Sequence, residues 1–294
     1  MVLVIGGSNL DLIARTQLRP ALETSNPGST RHTPGGVARN VAENLGRLDV
    51  ACSLITSYAD DAAGQVVHDS LLGLPVTTRR LSAAQTGTYA AVLDDGGDLV
   101  IGVADMAATD SISPDQIDPI WFDDQDWVVI DGNLRIDNIE RCLDLSRTAC
   151  ANALLDPVSV AKAVRLRSLS PLPLHTFTPN HDELLAFADT DQVNSALRFA
   201  FDRGVERVWL REGRDGSVLH HHDGTRVEIA ADHTDAVADV TGAGDAMLAA
   251  YLHRILRGDL PTTAATYAAR GARLTVEVVG AVNPDLTPHL LEHA

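Results

Sequence analysis

Short apolar runs that stop abruptly at glycine or a polar residue recur along this chain, and helix-patterned segments separate them. VLVIGG (2–7), VACSLITS (50–57), DWVVIDGN (126–133), ALLDPVS (153–159), LHTFTPNHDE (174–183) and ERVWLREGRDG (206–216) share this form. Such runs read as strands buried inside a sheet. Between them, residues 36–48 put Val37, Val41, Leu45 and Leu48 on one helical face. DDAAGQVVHDSLLGLPV reads as a helix and a turn, IERCLDLSRTACAN as a helix, and further helices start near Gly244 and cover 261–279. This alternation predicts one α/β domain over residues 1–294 around a mainly parallel sheet.

One stretch breaks the rhythm. QTGTYAAVLDDGGDLVIGVAD is two strand-like runs around a hairpin signal. With residues 11–35 it predicts a small second sheet, drawn from about 11–35 and 85–104, that covers a ligand site as a lid. Its exposed edge also invites pairing with a second copy, a homodimer through the lid. Ligands of open parallel sheets gather at the carboxyl ends of the strands. Asp131, Asn133, Asp156, Asn180 and Gly213 fall at such ends.

Composition removes several classes of function. The formal charge of −17 and pI near 4.9 disfavour nucleic-acid partners. No apolar run is long enough to span a bilayer. MVLVIGGSNLDL lacks a basic leader and reads as a first strand, so a cytoplasmic location is expected. Cys52, Cys142 and Cys150 show no CxxC spacing and are expected to pack in the core. His220, His221 and His222 read as a solvated hairpin tip rather than a metal site. There is no G-x-x-x-x-G-K-[ST] loop, and GGSNLD (6–11) lacks the full dinucleotide fingerprint. A phosphate-loop ATPase fails on that ground, and an oxidoreductase is disfavoured.

DVTGAGDAM (239–247) carries the strongest chemical signal. Gly242, Ala243 and Gly244 sit where a helix starts, and free amides there hold anions. Asp245 lies in the first turn, where the helix field predicts an ionised carboxylate able to take a proton from a hydroxyl. A plain helix start is the competing reading of the same residues.

GGSNLD, TPGGVARN, NHDE and DVTGAGDAM, in that order, resemble the ribokinase-like (PfkB) family of sugar and nucleoside kinases over essentially the whole chain. SNPG (25–28), TPGGVARN, ADM (104–106), DGN (131–133), DPVS (156–159) and NPDL (283–286) resemble its pseudouridine kinase branch. The resemblance implies a three-layer form of the α/β domain, and ATP-dependent phosphorylation of the 5′-hydroxyl of pseudouridine, or of another nucleoside or sugar, with Mg²⁺. It implies that Asp11, Gly35, Gly36 and Asn40 grip the ribosyl hydroxyls, with the sugar edge approaching the two glycines where a side chain would collide. Asp245 matches the family's base, and Gly242, Ala243 and Gly244 its anion hole. Asn180, Arg211, Gly213, Gly216, Thr241 and Gly244 fall on the nucleotide side. Glu183 matches the acid that organises Mg²⁺ through water, although Asn180 and Glu183 also spell a helix capping box. Gly213 and Gly216 read equally as a hairpin turn. Asp239 and Thr241 match positions near a monovalent-cation site, K⁺ in kind, whose other ligands are backbone carbonyls. Asp105 or Asn133 is expected to read the base, the alternative being that both cap turns. Val37 stands where ribokinase has Lys, which weakens free ribose as substrate. Arg39 reads either as a phosphate contact or as the partner of an acid. A non-catalytic nucleoside sensor is the rival of another class, and retention of Asp245 with TGAG speaks against it.

Overall fold

The computed structural model describes residues 1–294. Its first strand, β1 (Val2–Ile5), is buried at every residue, and the sheet grows outward from it in both directions. On one side lie β4 (Cys52–Tyr58) and β5 (Val76–Ser82), each parallel to its neighbour. On the other lie β8 (Trp127–Asp131), β9 (Asn152–Asp156), β10 (Thr176–Phe177) and β11 (Arg207–Arg211), again parallel. Strand order therefore reverses at β1, which places a crevice at the carboxyl ends of β1 and β8. An antiparallel hairpin, β12 (Ser217–His221) and β13 (Arg226–Ile229), finishes the nine-stranded sheet beyond β11.

Helices cover both faces. They are α1 (Val37–Arg47), α2 (Ala62–Asp69), α3 (Ala107–Asp110), α4 (Ile136–Thr148) and α5 (Val160–Leu166), followed by α6 (His181–Ala188) and α7 (Val193–Phe201). The chain closes with α8 (Ala243–Leu256), α9 (Pro261–Val276) and α10 (Pro288–His293). Side chains of β1 alternate between two cores. Leu3 and Ile5 pack with residues of α4 to α7; Val2 and Val4 pack with α1, α8 and α9. Each such fully buried aliphatic side chain contributes roughly 1.5–3 kcal/mol. No helix is long and apolar enough to cross a membrane.

The second sheet has the order β3-β2-β6-β7, built from β2 (Asn9–Thr16), β3 (Gly28–Gly35), β6 (Gly87–Leu93) and β7 (Leu99–Asp105). It is inserted after the carboxyl ends of β1 and β5, so it hangs over the crevice as a lid.

Two expectations need correction, and one strand is not legible in the sequence. Cys52 and Cys142 are buried, but Cys150 is exposed, with φ +56° just past the end of α4. The histidine run is not simply a hairpin tip: His220 and His221 lie in β12 and are half-buried, and only His222 is exposed. The strand β5 was not apparent in VTTRRLS because most of its side chains are exposed or half-exposed, as befits a sheet edge.

Candidate active site

Gly242 caps α8 from the left-handed region, φ +76°, with the Ala281 carbonyl lying where a Cβ would stand. No side chain caps the helix, so its first-turn amides face the crevice uncommitted to any side chain. Asp245, in that turn, is buried and accepts a hydrogen bond from Asn40 Nδ2 at 2.7 Å. Burial pushes its pKa up to about 8; the Asn40 bond and Arg211 oppose the rise, while Asp156 and Asp131 reinforce it. The helix field alone favours an ionised carboxylate; at Asp245 desolvation opposes it and outweighs it.

Asn40 is more committed than a free sugar contact would be. Its amide donates to Asp245, and its oxygen accepts from Arg39. Arg39, which the sequence left between phosphate and acid, is buried and pairs with Glu43, while its Nη2 donates to the Pro34 carbonyl at 2.9 Å. A line of contacts thus runs from Glu43 through Arg39 and Asn40 to Asp245, fixing its carboxylate from behind.

The two glycines of TPGG are also required by the fold itself. A Cβ on Gly35 would come within 2.7 Å of the Asp11 carboxyl carbon. Gly36 has φ +97°, and a Cβ there would strike Gly7 and Ser8, the link from β1 to β2. A side chain at either position would therefore displace Asp11 or the Gly7–Ser8 backbone. Asp11 itself is half-buried in β2 and accepts from Asn9 Nδ2 at 2.5 Å. Burial raises its pKa against the pull of Asn9, Arg39 and Arg31.

At the sheet end, Asp131 and Asp156 close β8 and β9 side by side. Asp131 accepts from Gly7 N at 2.9 Å and Asn133 N at 2.8 Å, and burial pushes its pKa up to about 6. Asp156 accepts from Val158 N at 2.7 Å, and Val158 pays for that turn with φ +68°, an uncommon conformation for a β-branched residue. Arg211 Nη1 lies 3.0 Å from Asp156, and its Nη2 lies 3.6 Å from Glu183. A Cβ on Gly244 would run into the Arg211 guanidinium, so Arg211 lies across the start of α8. Asp156 and Asp131 were visible only as strand-end acids; an Asp closing an apolar run just before a tight turn is the signal that points to them.

Asn180 and Glu183 form the capping box of α6. Glu183 N donates to Asn180 Oδ1, and Asn180 N to Glu183 Oε2, both at 2.9 Å. Burial raises the Glu183 pKa, with Asn180 and Arg211 opposing. A pocket of about 410 Å³ opens beside it, lined by Asn180, Asp182, Arg211, Glu212 and Gly213. Gly213 has φ +59° and open space where a Cβ would stand. Gly216 instead turns the β11–β12 hairpin, its Cβ position filled by the Ile229 carbonyl.

Asp239 accepts from Thr241 N, and Thr241 is exposed. The proposed base readers part company. The register pairs Leu10 with Thr88 and Thr88 with Asp105, so Asp105 lies on the lid face opposite Asp11, exposed, accepting from Ala107 N at 3.1 Å. It caps a turn. Asn133 is half-buried beside Asp131, and its side-chain amide makes no hydrogen bond.

The profile of the pfkB family of carbohydrate kinases matches residues 1–288. Pseudouridine kinase of Escherichia coli K12 is 28% identical over 256 residues, covering 84% of this chain and 81% of its own. Ribokinase of Bacillus subtilis 168 is 24% identical over 291 residues, covering 95% and 94%. Among solved structures, a carbohydrate kinase from Agrobacterium tumefaciens superimposes with a TM-score of 0.85 at 27% identity, over 99% of this chain and 95% of that one.

Proposed function

The chain belongs to the pfkB family of carbohydrate kinases, ATP-dependent phosphotransferases for small sugars and nucleosides, and we propose that it phosphorylates a ribosyl 5′-hydroxyl, that of pseudouridine. The observation that carries the reaction type is Asp245, buried at the uncapped start of α8 and oriented by Asn40. A base poised near working pH is suited to taking the hydroxyl proton. The freed oxygen attacks the γ-phosphorus in line, the bond to the bridging oxygen breaks, and ADP leaves. The amides of Gly242, Ala243 and Gly244 face the charge that develops on the transferring group. Asp11 takes the sugar hydroxyls from the lid side, and the pocket beside Arg211 and Gly213 takes ATP.

Magnesium fits this site. Asp131, Asp156, Glu183 and Asp245 are buried together, and Arg211 answers only part of that charge. No three of the chain's His, Cys, Asp or Glu side chains converge to cage a bare ion. Glu183 would hold the ion through water, with ATP supplying further oxygens. When bound, the ion neutralises charge on the phosphates.

The pseudouridine reading rests on SNPG, ADM, DGN and NPDL and on the similarity to a pseudouridine kinase. The second reading, another nucleoside or a sugar such as ribose, is favoured by comparable similarity to a ribokinase and by the outward place of Asp105. The test is turnover of ATP and Mg²⁺ with pseudouridine, uridine, adenosine, ribose and fructose. The expected result is a clear preference in kcat/KM for pseudouridine over uridine, because a site bonded to the extra ring N–H loses that bond with uridine. Equal use of the two, or preference for a free sugar, selects the second reading. No turnover of any acceptor overturns both.

A further inference from the structure

Asp239 stands in the loop that delivers Gly242 and the first turn of α8. Donors surround its carboxylate. Thr241 N gives to Oδ1 at 3.0 Å, Gly280 N gives to Oδ2 at 3.2 Å, and Arg31 Nη2 pairs with the same Oδ2 at 3.0 Å. Arg31 comes from β3 of the lid, 208 residues away in sequence. It pairs in register with Ile13, next along the sheet face from the Asp11–Thr33 pair, so it shares the Asp11 face of the lid. The neighbouring segment is anchored as well: the Ala281 carbonyl presses on Gly242 and the Gly280 amide on Asp239.

The resemblance implied a monovalent cation near Asp239 and Thr241. The residues do not fit one. Asp239 Oδ2 already accepts from Gly280 N and from the Arg31 guanidinium, and Oδ1 accepts from Thr241 N, so the carboxylate's negative charge is answered by Arg31 before any cation binds. A K⁺ ion on Oδ2 would sit against a like charge. We propose that Arg31 takes the place of a monovalent cation in this chain, and that its bond to Asp239 fastens the lid to the loop that carries the anion hole. Arg31 is then a positioning residue. Closing the lid over the acceptor and setting the amides of α8 become one event.

This inference rests on the kinase reading, and the experiment has an arm that does not. Hydrogen exchange in the ligand-free protein should show amides of residues 239–244 exchanging at least tenfold faster in Arg31→Gln than in wild type, with Arg31→Lys in between. In a coupled assay with Mg²⁺ and ATP, wild-type kcat should change less than twofold when K⁺ is replaced by tetramethylammonium. Arg31→Gln should lose tenfold or more in kcat with a smaller change in acceptor KM, and added guanidinium ion should restore part of it. Unaltered exchange at 239–244 in Arg31→Gln overturns the latch. A tenfold fall of wild-type activity in tetramethylammonium, or a normal kcat in Arg31→Gln, overturns the replacement of the cation. Should no acceptor be turned over, the exchange arm still decides the latch, and only the kinase reading falls.

Discussion

Two opposing fields act on the Asp245 carboxyl. The start of α8 favours its charged form, and complete enclosure by protein favours its neutral form. Enclosure wins, and the pKa moves from 3.8 to about 8. The sequence displays the first field in TGAGD, but not the second, which depends on burial by distant segments and on Asp156 and Asp131 arriving with them. The linkage has a definite sign. Below pH 3.8 the folded and unfolded chains both hold the proton, and the native advantage is complete. As pH rises toward 8 the unfolded chain ionises first, and that advantage is lost. Asp245→Asn, which keeps the Asn40 contact and cannot ionise, should therefore melt above wild type at pH 8–9, with the difference closing toward pH 4. Its turnover should fall by at least ~100-fold, the low end for loss of a general base. Thermal melts across pH and a coupled assay check both arms. A mutant that melts below wild type at pH 8, or turns over normally, removes Asp245 from the role of buried base.

Among the elements, α6 shows how one pattern serves two ends. Asn180 and Glu183 satisfy each other's backbone amides, and the same cap holds the Glu183 carboxylate 3.6 Å from Arg211. Asn180→Ala removes the side-chain half and leaves the bond from the Asn180 amide to Glu183. It should cost about 0.5–2 kcal/mol in unfolding free energy, read by urea denaturation; an unchanged midpoint would mean that the side chain serves the ligand and not the helix. Such local signals are what sequence transmits well. β1, β8 and β9 were readable because burial on both faces leaves an unbroken apolar run, and the lid hairpin because DDGGD can do little but turn. The two-residue β10 and the half-exposed β5 carry no such run. Nor could spacing show what fills the space over Gly35 and Gly36, since Asp11 and the Gly7–Ser8 backbone reach them only through the fold.

At the scale of the whole molecule, the lid is a single sheet with one face over the crevice and little over the other. Cross-strand register puts Leu12, Val92, Ile101 and Val103 on the face opposite Asp11. Ile101 and Val103 are 57% and 60% exposed. A sheet with an apolar face needs a second layer. The two edges differ: β3 presents Arg31, His32 and Pro34, which blunt pairing, whereas β7 presents an apolar strand exposed along its whole length. The net charge of −17 opposes indiscriminate association, and we propose that a second copy of the same lid, with an apolar face of equal size, covers this one. Sedimentation velocity should show a dimer at micromolar concentration. The double substitution Ile101→Lys and Val103→Lys places two charges on the exposed face, away from Asp11 and from both cores, and should yield a folded monomer with an unchanged circular dichroism spectrum. A wild-type protein that sediments as a monomer, or a double variant that stays dimeric, would mean that this face meets something other than its own copy.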